Sequence, residues 1–550
     1  MSQFSGKVLL GDLNDFINPS LECTNPIFTE EKEVTSGSKI SLSFDLDDPF
    51  SNDVKPDIIK TTVKKVATVS LNDCLACSGC VTSAETILIQ QHNVDEFINI
   101  LKNKDDRTIV ICLSLQAAAN LAEYYHLSLQ KCQRLLFSIF KRFGVDYILD
   151  SSCGDEVSMI ETIKEYEYRN KSSQPSRLPW EKDHPSIAIN SSMTMYPPES
   201  IPLSSLSSLS PVTHASLIKD YIQKGYIHNT KDYIPSPLLP MITSACPAII
   251  CYGEKTYPEL LPYLSTVKSP QQILCTFLRD YFSNINNVSD NKQTPINSSS
   301  LYITSIVSCY DKKLEANRGD FRGDDGDREL NCVLTSAEIV EVLEKLQVDI
   351  HNENEIQCTN NFEYVMTHDY FSQSTSLSLP PSLGIPNHLQ ESGNYLNALI
   401  SHIYSHSPVP LQIKWKPGKN PDFTEIQLYN GDECVFRGCY VYGYRNLQNI
   451  IMKIKRNNCP YDFIELMACP KGCLNGGGQK KEGDLLIVEN IQVKFHEQSY
   501  MSNNDTYLPL ENPRTNIIYQ TSANQHTDQP NPFHTRYHVV VTSEHNSLNW

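Results

Sequence analysis

The segment Cys469-Pro-Lys-Gly-Cys473-Leu-Asn-Gly476-Gly477-Gly478-Gln479 follows the apolar run Phe463 to Met467 and constrains this chain more than any other feature. A Cys-x3-Cys step puts both sulfurs on one side of a turn. The neighbouring glycines let backbone approach a bulky inorganic centre and aim N–H groups at it. Two other cysteines also follow β-like runs: Cys246 in Pro240-Met-Ile-Thr-Ser-Ala-Cys246-Pro247, and Cys309 after Ile303 to Ser308. Ligands of an open α/β sheet gather at the carboxyl ends of its strands. Cys246, Cys309, Cys469 and Cys473 are therefore expected to converge, although any one alone would read as a buried core thiol.

A second cluster lies upstream in Cys74-Leu-Ala-Cys77-Ser-Gly-Cys80. Two-residue gaps let successive thiolates curl around one corner of an iron–sulfur cubane, with Ser78-Gly79 supplying tight backbone. The same spacing fits a zinc site, although zinc ribbons pair two such knuckles. The slot in which a bacterial ferredoxin places its next cysteine holds Ala84. A fourth ligand must come from elsewhere, and Cys23 is the only cysteine upstream.

Redox context favours metal. The chain has 18 cysteines in 550 residues, Asp12 and Asp15 interrupt any apolar leader, and no run approaches a membrane span. A soluble intracellular protein keeps its thiols reduced. The net charge of −18 repels phosphate backbones, so nucleic acid is not an expected partner, and with no apolar span membrane is not expected either.

The chain divides into an N-terminal cluster segment (1–105), an α/β body (106–502) and a polar tail (503–550). A Ser/Pro-rich insertion occupies about 170–236. Within the body, strands are expected over Thr108–Leu115, Val145–Asp150, Leu301–Ser308 and Phe463–Met467, with antiparallel strands between 411 and 444. Helices are expected over Gln116–Tyr125, Asp155–Arg169 and Leu447–Arg456. A further helix should open at the capping box Thr335-Ser-Ala-Glu338. Residues 352–400 are ambiguous. Cys251, Cys275 and Cys332 read as core thiols, and His402 and His406 as ordinary histidines.

These motifs carry a family resemblance. Thr243-Ser-Ala-Cys246-Pro247, Ser308-Cys309-Tyr-Asp-Lys312-Lys313-Leu-Glu315 and Glu465-Leu-Met-Ala-Cys469 through Gln479 resemble, in order, the three signatures of iron-only hydrogenases. The opening Leu10-Gly-Asp-Leu-Asn-Asp-Phe16 with Cys23, and Cys74 through Glu85, look more like the hydrogenase-like (Nar-type) factors of cytosolic iron–sulfur protein assembly. The resemblance implies an α/β, iron-only-hydrogenase-like fold with a ferredoxin-like N-terminal segment and a flexible polar tail. It implies two [4Fe–4S] clusters, one on Cys23, Cys74, Cys77 and Cys80 and one on Cys246, Cys309, Cys469 and Cys473.

The resemblance does not extend to hydrogen chemistry. Hydrogenases place a proton-relaying cysteine beside the first-signature ligand, and this chain has Ala245 there, whose methyl group cannot carry a proton. The expected role is a non-enzymatic assembly factor in the cytoplasm, with the nucleus a second location. It would help pass clusters to extramitochondrial apo iron–sulfur proteins. A two-cluster electron carrier and a lamina-binding paralogue are the alternatives. The terminal Leu548-Asn549-Trp550 resembles, with Asn549 departing at the middle position, the aliphatic, acidic or small polar, aromatic ends of clients of the cytosolic iron–sulfur targeting complex, and the resemblance implies docking there.

Overall fold

The computed structural model describes residues 92–173, 239–283, 300–322, 328–351, 392–418, 420, 422–481, 488–497, 518, 522 and 531–538. Cys23, Cys74, Cys77, Cys80, the insertion through 236 and the terminal Leu548-Asn549-Trp550 lie outside them.

The elements run in the order α1 (Val94–Lys102), β1 (Thr108–Leu113), α2 (Leu115–Tyr124), α3 (Leu129–Arg142), β2 (Tyr147–Asp150) and α4 (Ser152–Ser173). Next come β3 (Met241–Thr243), α5 (Pro247–Lys255), α6 (Pro270–Ser283), β4 (Leu301–Val307), α7 (Asp311–Ala316), β5 (Cys332–Thr335) and α8 (Ser336–Lys345). The last group is α9 (Tyr395–His406), β6 (Gln412–Pro417), β7 (Phe423–Asn430), β8 (Glu433–Tyr442), α10 (Tyr444–Lys455), β9 (Phe463–Met467) and α11 (Val488–Glu497).

They build two sheets. One has four parallel strands in the order β2-β1-β4-β5. The runs Ile109–Leu113 and Leu301–Val307 are buried throughout, as strands covered on both faces must be. The other has five strands in the order β3-β9-β8-β7-β6. Its β3, β9 and β8 are parallel, and β8-β7-β6 is an antiparallel meander.

Side chains end the unsatisfied first turns of several helices. Ser114 Oγ accepts from Ala117 N at 3.2 Å, and Ser128 Oγ from Lys131 N at 3.3 Å. Thr335 and Glu338 form the expected capping box. α1, which the sequence assigns to the N-terminal segment, packs through Phe97 and Leu101 into the core around α2, α3 and α8. A separate core joins the five-stranded sheet to α4, α5 and α9.

The tail also departs from expectation, because residues 531–538 are built into the body. Val267 and His534 form an antiparallel bridge, Lys268 N donates to Phe533 O at 2.8 Å, and Phe533 is buried. The His534 ring sits between Glu161 Oε2 (3.0 Å) and Thr266 Oγ1 (2.8 Å). Polar composition marks this stretch as tail, yet its polar groups find buried partners.

Candidate iron–sulfur centre

The carboxyl ends of β3, β4 and β9 deliver the predicted cysteines. Cys246 follows β3 and precedes α5, whose first residue is Pro247. Proline fits there because its missing N–H would be unpaired in any first turn. Cys309 follows β4, and Cys469 and Cys473 flank the turn after β9. Cys246 is buried and the other three are half-buried.

Ser244 fastens the first loop to the third, donating to Leu466 O at 2.5 Å while accepting from Cys246 N at 3.2 Å. The glycine turn fastens the third loop to the second, since Gly478 N donates to Ser308 O at 3.0 Å. A Cβ at Gly476 would lie 2.3 Å from Ser308 O, and one at Gly478 would lie 2.5 Å from Thr335 Cγ2. Those contacts forbid a side chain at either position. Gly472 adopts φ +73°, a left-handed conformation that Gly enters without strain.

Electrostatics group the thiols. Burial pushes the Cys246 thiol up to about 12, with Asp311 and Cys473 adding to the rise. Cys309 is driven well above the ordinary thiol range by burial first, then by Asp311, Cys246 and Cys473, against Lys312. Cys473 is also raised by burial, while the Ser392 hydroxyl and Lys312 pull it down. Cys246, Cys309 and Cys473 thus lie within each other's fields. Cys469 joins Cys473 through their shared turn, its carbonyl accepting from Gly472 N at 3.1 Å.

Three thiols that resist ionisation, chiefly because they are buried and in part because they crowd one another, suit a cationic inorganic centre, which displaces their protons on binding. Among the described residues, no three His, Cys, Asp or Glu side chains gather tightly enough for a single metal ion. A cubane differs from a mononuclear site because its ligands attach to separate irons at separate corners. Donor type, burial and the side-chain-free glycine turn fit such a group.

Two neighbours of the centre are not obvious from sequence. Ser392 Oγ accepts from Cys473 N at 2.6 Å and lies in the stretch that reads as ambiguous. Glu465, fully buried on β9, accepts from Leu396 N at 2.8 Å. The third-signature pattern includes Glu465, but its role at the start of α9 shows only in three dimensions. Lys312 Nζ donates to Ala245 O at 3.0 Å and to Glu315 Oε2 at 3.2 Å.

Other sulfurs and imidazoles lie apart from this arrangement. Cys275, Cys332 and Cys112 are core thiols, and Cys251 is half-buried. His402 pairs with Glu167 at 2.8 Å, and His406 Nδ1 lies 2.9 Å from the His402 carbonyl.

A family model described as "Iron only hydrogenase large subunit, C-terminal domain" matches residues 212–477. In fold, the chain is similar to the [FeFe]-hydrogenase HydA1 from Chlamydomonas reinhardtii. The TM-score is 0.54 at 18% identity, covering 81% of this chain and 98% of that one. In sequence it is 32% identical to "Cytosolic iron-sulfur assembly component 3" of Rattus norvegicus, covering 98% of this chain and 97% of the relative. It is 33% identical to "Probable cytosolic Fe-S cluster assembly factor narfl" of Dictyostelium discoideum, covering 97% and 96%. With such identity along nearly its full length, the chain belongs to the narfl-type family of cytosolic iron–sulfur assembly factors, on an iron-only-hydrogenase-like α/β fold.

Proposed function

We propose that this protein is a non-enzymatic component of cytosolic iron–sulfur protein assembly that binds two [4Fe–4S] clusters and aids their transfer to extramitochondrial apoproteins. The first cluster would be held by Cys23, Cys74, Cys77 and Cys80, the second by Cys246, Cys309, Cys469 and Cys473. The carrying observation is that three strand ends bring mutually interacting thiols, Cys246 buried and the others half-buried, to a glycine turn with no room for side chains at Gly476 and Gly478. The relatives' names supply the cytosolic setting and the assembly role.

Hydrogen turnover is set aside on chemistry. Ala245 has no titratable side chain beside Cys246, and its carbonyl is occupied by Lys312. Leu548, Asn549 and Trp550 would dock on the cytosolic targeting complex, with Trp550 as an aromatic anchor.

The test is iron and acid-labile sulfide analysis on anaerobically purified full-length protein, followed by transfer to an apo-acceptor. About eight irons with matching sulfide are expected for two cubanes. Cys473→Ala should lose the second cluster's share and keep the first. Stoichiometric zinc without sulfide overturns the reading, and full iron in Cys473→Ala overturns the ligand assignment. Clusters that cycle electrons but never leave the protein would favour the electron-carrier alternative.

A further inference from the structure

Lys312 lies three residues beyond Cys309, in the first turn of α7. Its Nζ reaches back to the Ala245 carbonyl at 3.0 Å, on the residue immediately before Cys246. The ammonium therefore spans the two loops that bear these cysteines. The side chain is only 16% exposed, and its field acts on both Cys309 and Cys473.

Its counter-ion is fixed as well. Glu315 Oε2, 3.2 Å from Nζ, also accepts from Ser269 Oγ at 2.9 Å and Gln271 Nε2 at 3.1 Å. These bonds hold the carboxylate beside the ammonium by contacts to the segment at Ser269 and Gln271. Burial alone would lower the Lys312 ammonium, but the hydrogen-bonded Glu315 carboxylate, first among its raising neighbours, opposes this, so the cation is retained.

A backbone carbonyl could be satisfied by any donor. Placing a full positive charge in a buried site beside thiol ligands has a further consequence. Four thiolates around a cubane carry net negative charge, and reduction adds one more. A fixed cation favours the reduced state, and low local polarity enlarges that effect.

Resting on the two-cluster reading, we propose that Lys312 is a positioning residue that raises the reduction potential of the cluster at Cys246, Cys309, Cys469 and Cys473. Glu315 is the moderating charge that limits the rise. Reduction in this scheme transfers one electron from the titrant to the cluster, and Lys312 keeps its proton throughout.

The test is a dithionite titration of anaerobic full-length protein, followed by electron paramagnetic resonance, with iron content measured on each sample. The signal of interest is the one lost in Cys473→Ala. Lys312→Met should move its midpoint to lower potential, and Lys312→Arg should return it towards that of the unaltered protein. Glu315→Gln should move it the opposite way, to higher potential.

Opposite signs at the two positions cannot arise from a purely structural contact. Unchanged midpoints with full iron, or shifts of the same sign in both variants, overturn the proposal while leaving the cluster reading intact. If Lys312→Met fails to hold iron, the sign in Glu315→Gln decides. Absence of iron and sulfide from the unaltered protein overturns the cluster reading itself.

Discussion

Ser392 bonds to both ends of one candidate ligand: its oxygen accepts the Cys473 N–H, and its hydroxyl lowers the Cys473 thiol. A hydrogen bond to a charged partner contributes about 1.5–3 kcal/mol. Ser392→Ala should therefore leave the fold intact but speed iron loss to a chelator by roughly ten- to a hundredfold, read as the rate of bleaching. An unchanged rate would show that the hydroxyl only supports the backbone. Glu465 offers a second measurement. Burial pushes its carboxyl up to about 8, against the pull of the Leu396, Asn394 and Tyr395 N–H groups. Between the ordinary carboxylate range and pH 8, the folded state keeps a proton that the unfolded state has released. Stability must then fall as pH rises through that window. Glu465→Gln keeps an acceptor oxygen and should flatten this fall, measured as melting temperature against pH in the metal-free protein. Neither residue announces its role in sequence. A lone serine and a carboxylate inside an apolar strand acquire meaning only from what folds beside them.

At the scale of elements, the strap at 531–538 shows how far composition can mislead. Asn531, His534 and Thr535 look like solvated tail. Instead Asn531 Nδ2 and His534 Nε2 both reach Glu161 Oε2, at 2.8 and 3.0 Å, and Thr535 N donates to Thr266 O at 2.8 Å. Glu161 lies on α4, and the same helix also holds the segment 263–266. Arg169 donates to the carbonyls of Tyr263 (3.1 Å) and Leu264 (2.6 Å), and Glu165 accepts from Ser265 Oγ at 2.7 Å. A chain ending at residue 538 should melt like the full-length protein. One ending at 530 should melt well below it, because it loses the buried Phe533, a side chain whose truncation typically costs about 3–5 kcal/mol. Equal melting temperatures for the two truncations would show that the strap lies on the body without stabilising it. Elements with a clean period were legible in advance. The strand Phe463–Met467 and the capping-box helix at Thr335 sit where the pattern puts them. By contrast, α3 went unassigned although its apolar residues recur at helical spacing behind the N-cap Ser128, and α6 gave no comparable signal. The helix α6 is buried along most of its length, and a helix with little solvent-facing side loses the polar–apolar alternation that marks its period. At the candidate centre, the places of Cys246, Cys309 and Cys469 after strands were legible from strand-end logic, whereas Lys312's bond to the Ala245 carbonyl was not.

For the whole molecule, the candidate centre lies where two sheets meet. Cys309 hangs from the four-stranded sheet, and Cys246, Cys469 and Cys473 hang from the five-stranded one. A bound cluster would cross-link them, so its binding free energy would add to the stability of their junction. The junction does not rely on the cluster alone, since Gly478 N to Ser308 O already joins the two sides. Metal-free protein should therefore stay folded, with a lower melting temperature and faster amide exchange at the ends of β3, β4 and β9. The core around α3 should keep its protection. The thiols add a pH signature. With the Cys246 thiol pushed up to about 12, metal-free protein holds that proton while the unfolded chain releases it above about pH 8.5. Metal-free stability must then decline as pH rises through that range. Cluster-loaded protein has already lost those protons and should not share the decline. The measurement is melting temperature from pH 7 to 10 on both forms. A gap between them that widens with pH is the expected result. A constant gap would mean that the buried thiols are not the groups that give up protons to the centre.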